Sequence, residues 1–136
     1  MNAYRRRILT LIRTMLEPYA PMANAIDFGS GDGWFTRMIQ EDGIAKHVVP
    51  VEVLRRPGCV REPQVYDGGR LPFEDRSFDL ALAIDVLHHC PDPRTSMKDL
   101  LRCTATFLVI KDHTYNSRLG QITLALLDEM GRVSCN

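Results

Sequence analysis

Apolar residues follow two kinds of spacing along this chain of 136 residues. Within residues 3–17 they recur every three or four positions, which predicts an amphipathic helix. Further along, apolar residues form short unbroken runs, which are typical of strands buried on both faces of a sheet. We predict five such strands, at residues 25–28, 47–52, 64–66, 78–84 and 106–110.

Helical spacing returns between these runs. It is found after the first strand at Phe35, Met38 and Ile39, then over residues 95–103, and again over residues 119–130. Alternating strands and helices predict an α/β fold with a parallel sheet.

Prolines interrupt two parts of this pattern. Segment 53–63 holds Pro57, Gly58 and Pro63, so we predict an irregular connection there rather than a full helix. Pro50 lies inside the second strand and weakens that assignment, because proline cannot donate to a sheet ladder.

A glycine-rich loop follows the first strand. Its glycines alternate at Gly29, Gly31 and Gly33, and a helical pattern begins directly after them. Glycines let the backbone approach a ligand closely, and the first turn of the next helix presents free N–H groups to it. A dinucleotide fingerprint would place its third glycine where this chain has Trp34, so the loop argues against a nicotinamide cofactor.

Polar residues mark the carboxyl ends of the predicted strands. Glu52 follows the glycine loop by about 20 residues, the interval expected of an acid that binds a ribose. Asp67 and Gly68 end the third strand, where they could bind an adenine or form an ordinary Asp-Gly turn. Asp85 ends the fourth strand, and Lys111 begins a polar triplet at the end of the fifth.

Two longer stretches carry a resemblance. Leu71-Pro-Phe-Glu-Asp-Arg-Ser-Phe-Asp79 leads into the fourth strand, and Asp85-Val-Leu-His-His89 leaves it. Together with the glycine loop, residues 24–113 resemble the class I S-adenosylmethionine (SAM)-dependent methyltransferases, within them the type 11 group. The resemblance implies a Rossmann-like, doubly wound and mainly parallel sheet of order 3-2-1-4-5. Such domains usually have seven strands, and we expect this short chain to lack the last two.

The resemblance also implies a site, with SAM as methyl donor and S-adenosylhomocysteine as product. The implied cofactor-binding residues are Asp27, Gly29, Ser30, Gly31, Gly33, Glu52, Asp67, Gly68, Asp85 and Val86. His88 and His113 are candidate general bases if the acceptor must lose a proton, because histidine titrates near neutral pH. His88, His89, Cys90 and Asp92 do not form a convincing zinc set, so we expect no metal.

The composition limits the classes of protein to which this chain can belong. The chain has 45% hydrophobic and 25% charged residues and a net charge of +0, as in a soluble single domain. We divide it into an N-terminal helix (1–22), a SAM-binding core (23–113) and a C-terminal helix (114–136). The four cysteines lack any C-x-x-C pair and are expected to be reduced, so a cytoplasmic location is predicted.

The charge pattern and the sheet topology indicate which kinds of partner to expect. No apolar run is long enough to cross a bilayer. Arginines at Arg5, Arg6, Arg7 and Arg13 are interpreted as a solvated helix face, so we expect a small-molecule acceptor and no nucleic acid. A strand-five edge left exposed would favour a homodimer.

Two other functions stay open. A vestigial domain could bind SAM without turnover and act through a partner chain. The chain could instead be a nucleotide-dependent oxidoreductase, but Trp34 argues against that function. Methyl transfer by the isolated chain would distinguish an active methyltransferase from a vestigial domain.

Overall fold

The computed structural model describes residues 3–113, which form a parallel five-stranded sheet with helices on both faces. The elements are α1 (Ala3–Leu16), β1 (Met22–Phe28), α2 (Trp34–Glu41), β2 (Ala45–Glu52), β3 (Gln64–Val65), β4 (Phe78–Ile84), α3 (Pro93–Cys103) and β5 (Thr104–Lys111). The sheet order is β3-β2-β1-β4-β5, which confirms the predicted fold class. The predicted helix over residues 119–130 and any later strand lie outside the described residues.

Two apolar layers sandwich the sheet. On one face α1 and α2 pack on β4 through a cluster that includes Ile12, Ile39 and Leu82. On the other face α3 packs through Leu100 and a cluster that includes Ala81. Because β4 is central, its alternate residues bury in opposite layers, which explains its unbroken apolar sequence.

Local signals define the helix ends. Pro18 and Pro21 follow α1, which gives way to a 3-10 turn at Glu17–Tyr19. Asp92 caps α3, because its side chain accepts hydrogen bonds from the N–H groups of Arg94 and Thr95. No helix among residues 3–113 is long and apolar enough to cross a membrane.

Pro50 lies within β2 after all. On its β3 side, β2 is paired only through Val51 and Glu52, because β3 has two residues. Position 50 therefore has a strand neighbour only on its β1 side, opposite Asp27. A proline is tolerated there because that part of β2 behaves as an edge.

Segment 53–63, here called the strap, lies across the glycine loop. The N–H of Val60 donates to the carbonyl oxygen of Asp32 over 2.8 Å. On its other side the loop is tied to β2, because Gly29 and Ser30 both donate to the carbonyl oxygen of Val51. The loop is thus held between a strand end and the strap, at the carboxyl edge of the sheet.

Candidate functional site

A cavity of about 640 Å³ opens at the carboxyl edge of the sheet. This is where open α/β sheets bind ligands, and the volume suits a ligand of cofactor size. The glycine loop, the ends of β2 and β3, the strap and the turn after β4 all contribute. The lining residues are Phe28, Gly29, Val51, Glu52, Val53, Leu54, Arg55, Arg56, Pro57, Tyr66, Gly68, Val86, His89, Cys90, Pro91 and Ser96.

Four of the predicted cofactor-binding residues line this cavity: Gly29, Glu52, Gly68 and Val86. The other predicted site residues lie beside or beneath it. The structure adds lining residues that the motifs did not identify, including Tyr66 and His89. Burial raises the pKa of Tyr66 to about 12, so this phenol stays neutral near physiological pH.

Two glycines of the loop are required by close neighbours. Gly29 has φ +70°, and a Cβ there would collide with the side chain of Val86. Gly33 has φ +76°, and its Cβ would lie 2.7 Å from the carbonyl oxygen of Arg61 on the strap. The glycine pattern therefore lets the strap and the turn after β4 close on the loop.

Glu52 joins the cavity to the glycine loop. Its Oε1 accepts a hydrogen bond from the N–H of Gly31 at 2.9 Å, and its Oε2 accepts one from Val53 at 3.1 Å. Each carboxylate oxygen has two lone-pair sites, so each can accept one further donor. A side chain fixed in this way can receive a pair of neighbouring hydroxyl groups.

Asp27 lies beneath the loop rather than in the cavity wall. It is only 2% exposed, and its Oδ2 accepts a hydrogen bond of 2.6 Å from the hydroxyl of Thr36. Burial raises the pKa of Asp27 to about 6, although the Thr36 bonds oppose that shift. In this structure Asp27 connects β1 to α2. Thr36 was not predicted as a partner of Asp27, because its only signal in the sequence is a polar side chain inside a helical pattern.

The remaining residues of the predicted cofactor set have other surroundings. Ser30 is buried in the loop, and its Oγ has no hydrogen-bond partner among the described residues. Asp67 accepts from the N–H of Gly69 at 2.9 Å, as in the Asp-Gly turn that we considered as its alternative role.

Asp85 lies in a polar cluster at the ends of β4 and β5. Its backbone is left-handed, with φ +53°. Its carboxylate accepts from Lys111 and, over 2.8 Å, from the hydroxyl of Tyr4. The Nδ1 atom of His113 lies 3.3 Å away. The N-terminal helix therefore reaches the strand ends, a contact that the sequence analysis missed.

His88 is held by Asp112. The Nδ1 atom of His88 lies 2.5 Å from Oδ1 of Asp112, whose Oδ2 accepts from the N–H groups of Leu87 and His88. Burial of the Asp112 carboxyl opposes its ionisation, but bonds from His113 and His88 outweigh that effect and hold the pKa of Asp112 below its usual value. The neighbouring His89 is the histidine that lines the cavity.

The same cluster has the spacing of a metal site. Ligand atoms of His88, Asp112 and His113 lie within 4.8 Å of one another. Both carboxylate oxygens of Asp112, however, already accept hydrogen bonds from N–H groups of the chain. Hydrogen bonding is sufficient to account for this arrangement, and we assign no metal to it.

Comparison with known proteins identifies the family. Residues 1–133 match the family described as a methyltransferase domain. The chain belongs to this methyltransferase family. The resemblance inferred from the glycine loop and the strand-four motifs is thereby confirmed.

Individual relatives are more distant. The chain is 32% identical over 81 residues to the probable tRNA methyltransferase 9B of Bos taurus, and equally so to that of Homo sapiens. The aligned part is 57% of this chain and 17% of the bovine protein, so the chain matches a small part of these curated relatives.

Solved structures share the fold of this methyltransferase domain. The YcgJ protein from Bacillus subtilis aligns with a TM-score of 0.72 and 18% identity, over 90% of this chain and 58% of its own. The Haemonchus contortus phosphoethanolamine N-methyltransferase 2, in complex with phosphomonomethylethanolamine and S-adenosylhomocysteine, aligns with a TM-score of 0.69 and 16% identity. That alignment covers 88% of this chain and 32% of the other.

Proposed function

We propose that this chain binds SAM in the cavity at the carboxyl edge of the sheet and transfers its methyl group to an acceptor. The observation that carries the proposal is Glu52, which faces the cavity while its carboxylate is fixed to the glycine loop through Gly31. A fixed acid between a glycine loop and a cofactor-sized cavity suits an adenosine with free ribose hydroxyls.

The chemistry of the cavity and of the glycine loop beside it fits the cofactor in three places. Glu52 offers acceptors for two ribose hydroxyls. Val53, Leu54 and Val86 provide apolar wall, against which an adenine can pack. The buried hydroxyl of Ser30, which has no partner among the described residues, is a donor in the glycine loop for a ligand carboxylate.

Bound SAM supplies a methyl group on a sulfonium that is already a good leaving group. The protein's task is then mainly to position the acceptor. Asp85 precedes the cavity-lining Val86, and its carboxyl group is held in place by Lys111 and by Tyr4 of α1. His88 and His113 stay candidate bases, and Asp112 fixes the ring of His88 through its Nδ1 atom.

Equilibrium dialysis with radiolabelled SAM tests this function. We expect saturable binding that is displaced by S-adenosylhomocysteine and unaffected by NADH. Displacement by NADH at similar concentrations would favour the oxidoreductase reading. Binding without methyl transfer to any acceptor would favour the vestigial domain that acts through a partner chain.

The acceptor has two candidate classes. The first is the small molecule expected from the bulk charge. The second is RNA, and it is supported by the resemblance of 81 residues to proteins named probable tRNA methyltransferases. A transfer assay with tritiated SAM and either total tRNA or an extract of small metabolites separates the two, because RNA-bound label precipitates in acid.

A further inference from the structure

Arginines are concentrated in two segments of the described chain. Helix α1 has the sequence AYRRRILTLIRTML, with four arginines and no acid. The strap holds Arg55, Arg56 and Arg61 against a single acid, Glu62. Since the whole chain has a net charge of +0, this excess comes from the distribution of charge and not from the composition.

The fold brings these segments together at Asp32 of the glycine loop. Arg5 donates to Oδ2 of Asp32 at 2.7 Å. The carbonyl oxygen of the same residue accepts from the N–H of Val60 at 2.8 Å and from that of Arg61 at 3.5 Å. The start of α1 and the strap therefore meet beside the mouth of the cavity. We call Arg5, Arg6, Arg56 and Arg61 the arginine rim.

Most of the rim's charge is uncompensated within the described residues. Asp32 offsets Arg5, and Glu62 pairs with Arg55, which is outside the rim. Arg6, Arg56 and Arg61 are exposed and make no ion pair within residues 3–113. Arg56 also lines the cavity, so the positive charge reaches the site itself.

Guanidinium groups distributed in this way suit an extended polyanion better than a small anion. A single phosphate would engage one or two arginines, whereas a nucleic-acid backbone offers a phosphate to each. An exposed apolar side chain accompanies the arginines on the strap outside the cofactor's wall: Val60 is 45% exposed and is not among the residues that line the cavity. It provides a surface that an unstacked base can contact.

We propose that the arginine rim binds the phosphate backbone of an RNA loop and presents one of its bases to the cavity. Loops of RNA carry unstacked bases, whereas a duplex must first pay the cost of unpairing. The inference rests on the proposed methyl transfer for its biological meaning. It departs from our expectation of no nucleic-acid partner, which considered the α1 arginines without those of the strap.

Fluorescence anisotropy with a labelled RNA stem–loop measures this binding directly. We expect the wild-type affinity to fall steeply as salt rises, since phosphate contacts release counterions. The variant Arg6→Gln/Arg61→Gln should bind roughly tenfold more weakly, with a salt slope that is lower by about 1 to 2. Arg56→Gln is a second variant, and it should also bind the RNA more weakly and with a lower salt slope.

The matched control is Arg13→Gln/Lys46→Gln, which removes the same charge away from the glycine loop. Arg13 pairs with Asp42, and Lys46 lies at the start of β2. This control should keep wild-type affinity for RNA. Equal losses in the two double variants, or no loss in either, would overturn the proposal. So would tighter binding of duplex DNA or of anionic lipid vesicles than of the RNA.

Calorimetric titration with S-adenosylhomocysteine separates this inference from the proposed function. Neither Arg6 nor Arg61 lines the cavity, so the rim variant should keep the wild-type affinity for S-adenosylhomocysteine. RNA binding that depends on the rim, without any S-adenosylhomocysteine binding, would refute the proposed function alone. The reverse result would refute the rim alone.

Discussion

At the scale of single residues, Asp27 has the most unusual environment in the described chain. A carboxyl group that is 2% exposed has only the hydroxyl and N–H of Thr36 to support its charge. Family resemblance gives it a cofactor contact, but the geometry places it under the glycine loop. Its charge therefore destabilises the folded state at neutral pH, a cost that is common at functional sites.

Through Asp27, the stability of the folded protein should depend on pH. The pKa of Asp27 is about 6 in the fold, above its ordinary value of 3.8. The native state therefore holds a proton that the unfolded chain has lost, so the Asp27 contribution to stability falls as pH rises from about 4 to 6 and is constant above. Asp27→Asn should be more stable than wild type at pH 7, by on the order of 1–3 kcal/mol, with the difference vanishing near pH 4.

Urea unfolding of both proteins at pH 4 and pH 7 measures this effect. Asp92→Asn is the control of opposite sign, because hydrogen bonds from Thr95 lower the pKa of the Asp92 carboxyl. That variant should gain no stability at pH 7. If Asp27→Asn is no more stable than wild type at pH 7, the buried-charge interpretation is wrong.

At the scale of elements, the strap and the glycine loop form one unit. Gly33 is the N-cap of α2, and the strap backbone at Arg61 leaves no room for a Cβ there. Asp112 plays a similar part at β5, since its carboxylate holds the turn after β4 through Leu87 and His88. These contacts hold the walls of the cavity in place.

Gly33→Ala should separate the strap from the loop. A Cβ there would meet Arg61 backbone atoms at 2.7 and 2.9 Å, in addition to the strain of φ +76°. Gly43→Ala is a matched control, because Gly43 has φ +70° but no atom within 4 Å of the added Cβ. We expect the control to lose about 1 kcal/mol and Gly33→Ala to lose clearly more.

Limited trypsin digestion reports on the strap itself. Because the strap contains three arginines, Gly33→Ala should speed cleavage within residues 53–63, whereas Gly43→Ala should leave that rate unchanged. Equal cleavage rates in the two variants would show that the contact between Gly33 and Arg61 does not hold the strap.

The bounds of the strands show how much of the fold could be predicted from the sequence. The predicted bounds of β4 match the structure because burial on both faces leaves an unbroken apolar run. β1, β2 and β5 begin earlier than predicted, at Met22, Ala45 and Thr104, because Asn24, Lys46 and Thr106 interrupt or border the apolar runs from which these strands were predicted. The irregular strap was predicted correctly from its prolines and glycine.

Contacts between distant residues were the part that local patterns could not provide. Tyr4 meets Asp85 across 81 positions of sequence, and Asp32 meets Val60 although α2 and β2 lie between them in the chain. The sequence does not show which of two adjacent histidines faces a site. In the structure the 3-10 turn orients His89, and not His88, toward the cavity. Motif resemblance located the edge of the sheet, whereas packing decided which side chains face the cavity.

At the scale of the whole molecule, the carboxyl edge gathers the features of a methyltransferase domain. The cavity, the fixed Glu52 and the arginine rim lie around one glycine loop. A chain with a net charge of +0 can thus present a locally basic surface next to the cavity in which we propose that SAM binds.

The most direct test of the central claim is calorimetric titration of the chain with S-adenosylhomocysteine. Three proteins should be compared: wild type, Glu52→Ala, and Glu62→Ala as a control that removes an exposed acid from the strap. We predict saturable binding at one site by wild type and control. Glu52→Ala should bind at least roughly tenfold more weakly, because two charge-assisted hydrogen bonds are lost. Equal affinities for all three proteins, or no binding by a folded wild type, would contradict the account.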